Sequence, residues 1–235
     1  MINIIFDMDG VMFDTERVYA LAWDYAGEKA GIGKAGFMNE LTLGMNEEKS
    51  REVWRQYFGE DYDEVSLKFY SREFLRRYYE ENPVPEKAGL RELLGYLREN
   101  GAKIGLASST PIDEVRRNLR SAGIEEYFDA AVGGDEVFHS KPDPEIYIKV
   151  CGMLGAEPEN CYAVEDSKSG IISACGAGCK VIMVPDLWEC DRKTEWLLHA
   201  KLDSLLDVRD FLENESGSAP EADFEPDDEL SEILF

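Results

Sequence analysis

We predict an α/β protein in which a doubly wound parallel sheet carries a small helical cap domain. Three observations lead to this fold class. The apolar run from Ile2 to Phe6 has the composition of a strand buried on both faces. From Pro83 onward, short apolar segments alternate with segments of helical period, which is typical of βαβ units. Between them, from Glu16 to about Asn82, the chain shows helical periods and no convincing strand.

The same patterns set the predicted domain boundaries. Residues 1–15 and 84–212 form the α/β core, and residues 16–83 form the cap that is inserted after the first strand. Residues 213–235 contain nine acidic residues and no Lys or Arg, together with Ser, Gly and Pro, so we predict a disordered acidic tail. The apolar end of this tail, Leu230 to Phe235, leaves a docking role open.

Within the core, four pairs of a helix and a strand are expected after the cap. The predicted helices are Ala88–Asn100, Asp113–Ala122, Pro144–Leu154 and Ser169–Ala177, and the strands that follow them are Lys103–Ala107, Asp129–Val132, Cys161–Val164 and Lys180–Val184. The carboxyl ends of parallel strands open on one edge of the sheet, where such folds bind their ligands. Residues that are far apart in the sequence are therefore expected to meet at this edge.

The composition argues against several classes of function. A formal net charge of −24 over 235 residues argues against binding to nucleic acid or to an anionic membrane. No apolar run reaches the length of a membrane span. The five cysteines form no CxxC pair, which argues against a zinc site and favours reduced thiols in the cytoplasm. The sequence does not reveal the oligomeric state, and a monomer is the default expectation.

The segment Asp7-Met8-Asp9-Gly10 directly follows the first predicted strand. Two carboxylates held this close together repel each other unless a divalent cation or a proton lies between them. Asp7 can therefore act as a nucleophile and metal ligand, while Asp9 can shuttle a proton. Because Asp and Gly are also common turn residues, a solvated turn at the strand end is the alternative interpretation.

Three more predicted strand ends carry polar groups. Ser108-Ser109-Thr110 follows the second strand, Ser140-Lys141-Pro142 comes after the third, and Glu165-Asp166-Ser167 follows the fourth. Taken singly, each has another explanation: a helix N-cap, a surface lysine in a turn, or an ordinary helix start. Taken together and in this order, they assemble carboxylates suited to Mg²⁺ with a lysine and hydroxyls suited to a phosphoryl group.

This ordered set resembles the haloacid dehalogenase superfamily of phosphohydrolases. The resemblance extends from about Asn3 to Phe211, and its first motif is highly specific. Within the superfamily, Asp7-Met8-Asp9-Gly10-Val11 and Asp14-Thr15-Glu16, followed at once by the helical insertion, resemble the β-phosphoglucomutase and phosphoglycolate-phosphatase-like branch. The resemblance implies the same fold as the residue patterns, with a catalytic core and a cap.

The resemblance also implies roles for individual residues. Asp7 would be the nucleophile that becomes an aspartyl-phosphate, and Asp9 would be first the general acid and then the general base. Ser108 and Lys141 would bind the phosphoryl oxygens. The full implied phosphate-binding set is Met8, Gly10, Ser108, Ser109 and Lys141.

Mg²⁺ is the cofactor that the resemblance implies. Its ligands would be Asp7, Asp166, the main-chain carbonyl of Asp9 and, directly or through water, Glu165. Carboxylates, water and phosphate oxygens are the ligands that this ion prefers. A dehalogenase is disfavoured, because displacement of a halide needs neither the acid Asp9 nor a metal.

Departures in the cap separate two activities of this branch. The mutases carry a cap histidine where this sequence has Tyr19, and an arginine that grips a second phosphate where it has Glu47. Losing cations at the second phosphate favours hydrolysis of a phosphomonoester over a mutase reaction. Glu16, Tyr19 and Glu47 are the candidate cap residues that face the substrate.

We therefore expect a magnesium-dependent phosphatase of a small phosphorylated metabolite, of the sugar or polyol phosphate class. A β-phosphoglucomutase-like sugar phosphate mutase is one alternative. A non-catalytic binding or regulatory protein on the same fold is another, although such a protein would not need the whole set of strand-end residues.

Overall fold

The computed structural model describes residues 1–42, 47–60 and 62–215, with the backbone alone for Glu47 and Glu48. The strands of the described part are β1 (Asn3–Phe6), β2 (Lys103–Ala107), β3 (Ala130–Val132), β4 (Cys161–Glu165), β5 (Lys180–Met183) and β6 (Ala200–Lys201). Its α-helices are α1 (Glu16–Ala30), α2 (Phe37–Leu41), α3 (Glu47–Phe58), α4 (Glu64–Glu81), α5 (Leu90–Glu99), α6 (Ile112–Ala122), α7 (Glu145–Leu154), α8 (Lys168–Ala177), α9 (Arg192–Glu195) and α10 (Leu205–Glu215). Short 3₁₀ turns lie at Glu125–Tyr127, Gly134–Glu136 and Pro158–Asn160.

The six strands form one parallel sheet in the order β3-β2-β1-β4-β5-β6. This order confirms the predicted doubly wound α/β class, since the chain proceeds from the centre of the sheet to one edge and then to the other. The central strand β1 pairs with β2 through Phe6 opposite Leu106 and with β4 through Phe6 opposite Val164. These registers bring the carboxyl ends of three neighbouring strands to the same level.

Apolar side chains explain the burial of both faces of the sheet. One cluster packs α5, α6 and α10 against one face, and a second cluster packs α7 and α8 against the other. Ile4 and Ile5, which are adjacent in β1, belong to different clusters because side chains alternate along a strand. The continuous apolar run that predicted a strand buried on both faces has this physical cause.

The structure adds elements that the sequence patterns did not predict. Strand β6 has two residues, of which Ala200 pairs with Ile182 at the edge of the sheet. Such a short strand leaves no periodic pattern in the sequence. Helix α10 continues to Glu215, which is beyond the predicted start of the acidic tail at residue 213. The rest of the predicted tail, residues 216–235, lies outside the described residues.

Helices α1 to α4 lie between β1 and α5 in the chain and have an aromatic core of their own. Trp54 lies at the centre of this core, with its ring centroid 5.1 Å from that of Trp23 and 5.4 Å from that of Phe58. The two connections to the sheet domain run side by side: the Asp14 N–H donates to the Pro85 carbonyl at 2.8 Å. The helical block is therefore tied to the sheet domain through two paired segments.

Two further features concern the cysteines and the helices. All five cysteines are free thiols, and the sulfur atoms of Cys151 and Cys179 lie 3.9 Å apart in the core. Among the residues that the structure describes, no helix combines the length and the apolar character needed to cross a membrane.

Gly105 allows helix α7 to pack closely on the middle of β2. A Cβ atom at this position would lie 2.5 Å from Val150 Cγ1 and 3.2 Å from Leu154 Cδ1. We expect Gly105→Ala to lower the free energy of unfolding by about 1–3 kcal/mol through overpacking, as measured by denaturant titration. The matched control is Gly95→Ala in α5, where a Cβ would meet nothing within 4 Å and no loss is expected. Equal stability of the Gly105→Ala and wild-type proteins would contradict this account of the packing.

Candidate active site

The strand ends bring the predicted residues together at the carboxyl edge of the sheet. The Asp7 N–H continues the β1 ladder by donating to the Val164 carbonyl at 3.0 Å, and the Ser108 N–H donates to the Val132 carbonyl at 3.1 Å. Strand β4 itself ends with Glu165. Five of the predicted polar residues are buried at this edge, namely Asp7, Ser108, Lys141, Glu165 and Asp166.

The Lys141 ammonium is the centre of this cluster. Its Nζ donates to Asp7 Oδ1 at 2.6 Å, to Glu165 Oε1 at 2.6 Å and to the Ala107 carbonyl at 3.0 Å. Burial by itself would lower the pKa of Lys141, but the carboxylates of Asp7 and Glu165 outweigh burial and raise it. The lysine is therefore a buried, charged group, and the alternative of a surface lysine in a turn is not observed.

The Glu165 carboxylate accepts hydrogen bonds at both of its oxygens. Besides Lys141, the Tyr147 hydroxyl donates to Oε1 at 2.6 Å. Oε2 accepts from the Ser167 hydroxyl at 3.1 Å and from the N–H groups of Asp166 at 3.2 Å and Ser167 at 3.3 Å. Ser167 is also the N-cap of α8, and its Oγ accepts from the Gly170 N–H. The segment Glu165-Asp166-Ser167 therefore both starts a helix and forms part of the site.

Three hydroxyl groups surround the carboxylate of Asp9. The Thr15 hydroxyl donates to Oδ1 at 2.6 Å, the Thr110 hydroxyl donates to Oδ2 at 2.8 Å, and the Ser108 hydroxyl lies at the longer distance of 3.5 Å from Oδ2. Burial raises the pKa of Asp9, and these hydrogen bonds oppose the shift because they stabilise the carboxylate. An aspartic acid with a raised pKa suits a group that must both give and take a proton.

Gly10 makes the close approach of two strand ends possible. Its φ is +81°, and a Cβ atom on it would lie 2.2 Å from Asp166 Oδ2, so only glycine fits. The Gly10 N–H donates to the Phe13 carbonyl at 2.9 Å and is thus engaged within the turn. The side chain of Met8, between the two aspartates, is fully buried in the core.

The serine pair after β2 divides between buried and exposed positions. Ser108 is fully buried, and its Oγ accepts from the Thr110 N–H at 3.0 Å, while Ser109 is exposed. The residue before α6 is Pro111, and the side chain that caps this helix is Asp135, whose Oδ1 accepts from the Ile112 N–H at 2.8 Å. The alternative that Ser108 or Ser109 serves as its N-cap is therefore not observed.

The carboxylates at this edge suit a divalent cation. Asp7, Glu165 and Asp166 each offer an oxygen within 4.8 Å of those of the other two. Burial, followed by the charges of Glu165 and Asp7, raises the pKa of Asp166 well above its usual value. These three carboxylates lie around the Lys141 ammonium, and a bound cation would offset the negative charge that the lysine leaves uncompensated. The donor set consists of oxygen atoms, which fits Mg²⁺ or another hard cation.

The helical block contributes at least two groups near the site. Glu16 Oε2 accepts from the Asn39 side-chain amide at 2.5 Å. Burial raises the pKa of Glu16. Burial and the nearby charge of Asp9 raise the pKa of Tyr19. Glu47 begins α3, but its side chain lies outside the described residues.

Sequence reasoning missed four functional contacts. Tyr147, Thr15, Thr110 and Asn39 bind predicted site residues, although none of them was assigned a role. The two threonines lie inside motifs that drew attention for other residues, so their hydroxyls were a usable signal. Tyr147 and Asn39 give no such signal: Tyr147 lies in an ordinary predicted helix, and Asn39 lies in the short helix α2, for which the sequence gives no prediction.

Comparisons with known proteins agree on one family of hydrolases. Residues 4–184 match the family described as haloacid dehalogenase-like hydrolase. The sequence is 35% identical over 185 residues to the phosphorylated carbohydrates phosphatase of Thermotoga maritima, covering 76% of this chain and 82% of the relative. It is 30% identical over 212 residues to hexitol phosphatase B of Escherichia coli O157:H7, covering 87% of this chain and 92% of the relative.

A solved structure supports the same assignment. The putative β-phosphoglucomutase from Thermotoga maritima superposes with a TM-score of 0.74 at 32% sequence identity, covering 91% of this chain and 99% of the other. The match thus includes both the sheet domain and the helical block. The resemblance that the strand-end motifs predicted is confirmed, and the chain belongs to the haloacid dehalogenase-like hydrolase family.

Proposed function

We propose that this phosphomonoester hydrolase is a magnesium-dependent phosphatase of small phosphorylated sugars or polyols, acting through a covalent phosphoryl–Asp7 intermediate. One observation carries the proposal: Asp7 lies 2.6 Å from a buried, charged Lys141, at the same edge where Asp9 is held by hydroxyl groups. A nucleophile, a cation for the phosphoryl group and a proton donor are then side by side.

The residues divide the reaction into two steps. In the first, an Asp7 oxygen attacks phosphorus, the bond from phosphorus to the leaving oxygen breaks, and Asp9 gives its proton to that oxygen. In the second, Asp9 takes a proton from water as the water oxygen attacks phosphorus, which releases inorganic phosphate and restores Asp7. Lys141 and Ser108 bind the phosphoryl oxygens, and the lysine offsets their charge. Met8 and Ser109 complete the phosphate-binding loops, and Gly10 contributes by shaping the turn, since its own N–H is bonded to the Phe13 carbonyl.

The acidic cluster would hold the metal ion. Asp7, Asp166 and the Asp9 main-chain carbonyl are the proposed ligands of Mg²⁺, with Glu165 bound directly or through water. When bound, the ion neutralises charge on the nucleophile and the phosphoryl group. The excess of buried carboxylates over cations supports this assignment.

The polar groups of the helical block support the substrate class. Glu16 and its partner Asn39, together with Tyr19, offer hydrogen bonds of the kind that a hydroxyl-rich leaving group makes. The names of the relatives from Thermotoga maritima and Escherichia coli, which refer to phosphorylated carbohydrates and hexitols, agree with this class. We place Glu47 in the same cap surface.

A mutase is the second candidate, because the similar solved structure from Thermotoga maritima is that of a putative β-phosphoglucomutase. The presence of Tyr19 and Glu47, where such mutases carry His and Arg, favours the phosphatase. The complete catalytic set argues against a protein that only binds. The five free cysteines support the proposed cytoplasmic location, and a monomer is kept as the default oligomeric state.

The first prediction concerns the nucleophile. Asp7→Asn should abolish the release of inorganic phosphate while leaving the thermal unfolding transition intact, because an amide cannot form the acyl phosphate. Asp9→Asn should lower the rate by about 10²- to 10⁴-fold, the usual contribution of general acid–base catalysis. Turnover by an Asp7→Asn sample whose mass excludes deamidation would contradict the mechanism.

The second prediction concerns substrate and metal. A panel of hexitol and sugar monophosphates should yield inorganic phosphate in the presence of Mg²⁺. EDTA should stop the release, and added Mg²⁺ should restore it, whereas Ca²⁺ should serve poorly because its coordination is longer and looser. Conversion of β-glucose 1-phosphate to glucose 6-phosphate without release of phosphate would favour the mutase instead.

The third prediction concerns pH and stability in the absence of metal. Asp7, Asp9 and Asp166 have raised pKa values when folded, that of Asp7 reaching about 8 against an ordinary 3.8. Between the ordinary pKa of 3.8 and the folded pKa of Asp7, about 8, these carboxyl groups are protonated in the folded protein but ionised in the unfolded one. The folded state therefore binds more protons, and its stability falls as the pH rises. The Tm of EDTA-treated protein should therefore drop across the range. Added Mg²⁺ or the substitution Asp166→Asn should make Tm depend less steeply on pH. The same slope in EDTA-treated protein, in protein with Mg²⁺ and in Asp166→Asn would contradict the proposed excess of buried negative charge.

A further inference from the structure

The Glu165 side chain is fully buried and accepts hydrogen bonds from five donors. Lys141 and Tyr147 both donate to Oε1 at 2.6 Å, whereas Oε2 accepts from Asp166 and Ser167, the two residues that precede α8. A carboxylate oxygen has two lone pairs, so the two donors at Oε1 satisfy it fully. Direct coordination of a metal by Glu165 would require at least one of these hydrogen bonds to break.

Tyr147 is placed to act on both members of the Lys141–Glu165 ion pair. Its hydroxyl donates to Glu165 at 2.6 Å and lies 3.4 Å from Lys141 Nζ, which is 5.0 Å from the centre of the Tyr147 ring. A neutral hydroxyl fills the remaining site on Oε1 without adding a charge, and the ring face attracts the ammonium. Tyr147 is fully buried, so no water molecule from bulk solvent can replace it.

Gly170 provides the space that Glu165 occupies. A Cβ atom at Gly170 would lie 1.9 Å from Glu165 Oε1 and 2.1 Å from Oε2. The first turn of α8 therefore accepts the carboxylate only because this residue has no side chain. Tyr147 from one helix and Gly170 from the next fix the position of Glu165 from two sides.

We propose that Tyr147 and Gly170 are positioning residues that hold Glu165 as the counter-ion of Lys141, not as a metal ligand, and so aim Lys141 at the phosphoryl group on Asp7. This inference rests on the proposed function. It assigns the metal to Asp7, Asp166 and the Asp9 carbonyl, and it narrows the role of Glu165 to the ion pair.

Ligand binding without turnover tests the proposal. Calorimetry would measure the Kd of Mg²⁺ alone, and then that of inorganic phosphate at saturating Mg²⁺. For Tyr147→Phe we expect the phosphate Kd to rise about tenfold through loss of one buried hydrogen bond, while the Mg²⁺ Kd stays within about twofold. In a Lys141→Met background, Tyr147→Phe should have no further effect on the phosphate Kd, because its action runs through the lysine.

Gly170→Ala gives an independent route to the same result, since its Cβ must displace the Glu165 carboxylate. Gly170→Ala should also raise the phosphate Kd. This test does not need the Lys141→Met variants, so it remains available if those variants fail to fold. Gly152→Ala, in the same helix as Tyr147 and with nothing within 4 Å of its Cβ, is the matched glycine control. Tyr162→Phe, whose hydroxyl bonds Glu215 at the surface, is the matched tyrosine control. Neither control should change either Kd.

Three outcomes would overturn the inference. They are an unchanged phosphate Kd in folded Tyr147→Phe, a rise of tenfold or more in its Mg²⁺ Kd, and a full Tyr147→Phe effect that persists without Lys141. Wild-type protein that binds Mg²⁺ but no phosphate would instead overturn the proposed function itself, and the two failures are thus distinguishable.

Discussion

The site depends on one buried ammonium. Lys141 Nζ bonds Asp7 after β1, the Ala107 carbonyl at the end of β2, and Glu165 at the end of β4, and so it joins three adjacent strands. Loss of the lysine would leave two carboxylates uncompensated in a buried environment, which costs far more than a lost surface ion pair. Lys141 thus holds the side chains of Asp7 and Glu165 next to each other at this edge.

The same edge holds more negative charge than a single lysine balances. Asp7, Glu165 and Asp166 are almost fully buried, and Asp9 is half-buried. Burial raises the pKa of all three aspartates, and neighbouring carboxylates raise the pKa of Asp7 and of Asp166 further. Two apolar clusters on opposite faces of the sheet supply the stability that allows such a cluster to persist. A divalent cation among these oxygens would be both a catalytic group and a stabilising one.

The surroundings of Asp9 couple the chemistry to the helical block. Thr15, which donates to Asp9, is buried in the segment that leads directly into α1. Thr110 donates to the same carboxylate from the loop after β2, in the sheet domain. Asp9 is therefore held from both parts of the protein. Any change in the angle between them would alter these hydrogen bonds, and with them the pKa of Asp9, which is the property that its proposed role as general acid and base requires.

The class of the sheet, the order of the strand-end motifs and the meeting of Asp7, Lys141 and Asp166 at one edge are all predictable from the amino-acid sequence. They are predictable because strand periodicity is local and because parallel strands always present their carboxyl ends together. The sequence also indicates that Gly10 stands in a turn, but not that its missing Cβ makes room for Asp166.

The contacts between individual side chains depend on how the helices and strands pack. Tyr147 lies in an apolar helical pattern that predicts a core residue. Its hydroxyl reaches Glu165 only because α7 packs on the sheet in the position that brings Tyr147 next to the end of β4. Gly170 and Asn39 are likewise unremarkable until packing sets them against Glu165 and Glu16. Patterns in sequence report the side of an element that is buried, whereas hydrogen bonds require atomic distances that only the packing of several elements together can fix.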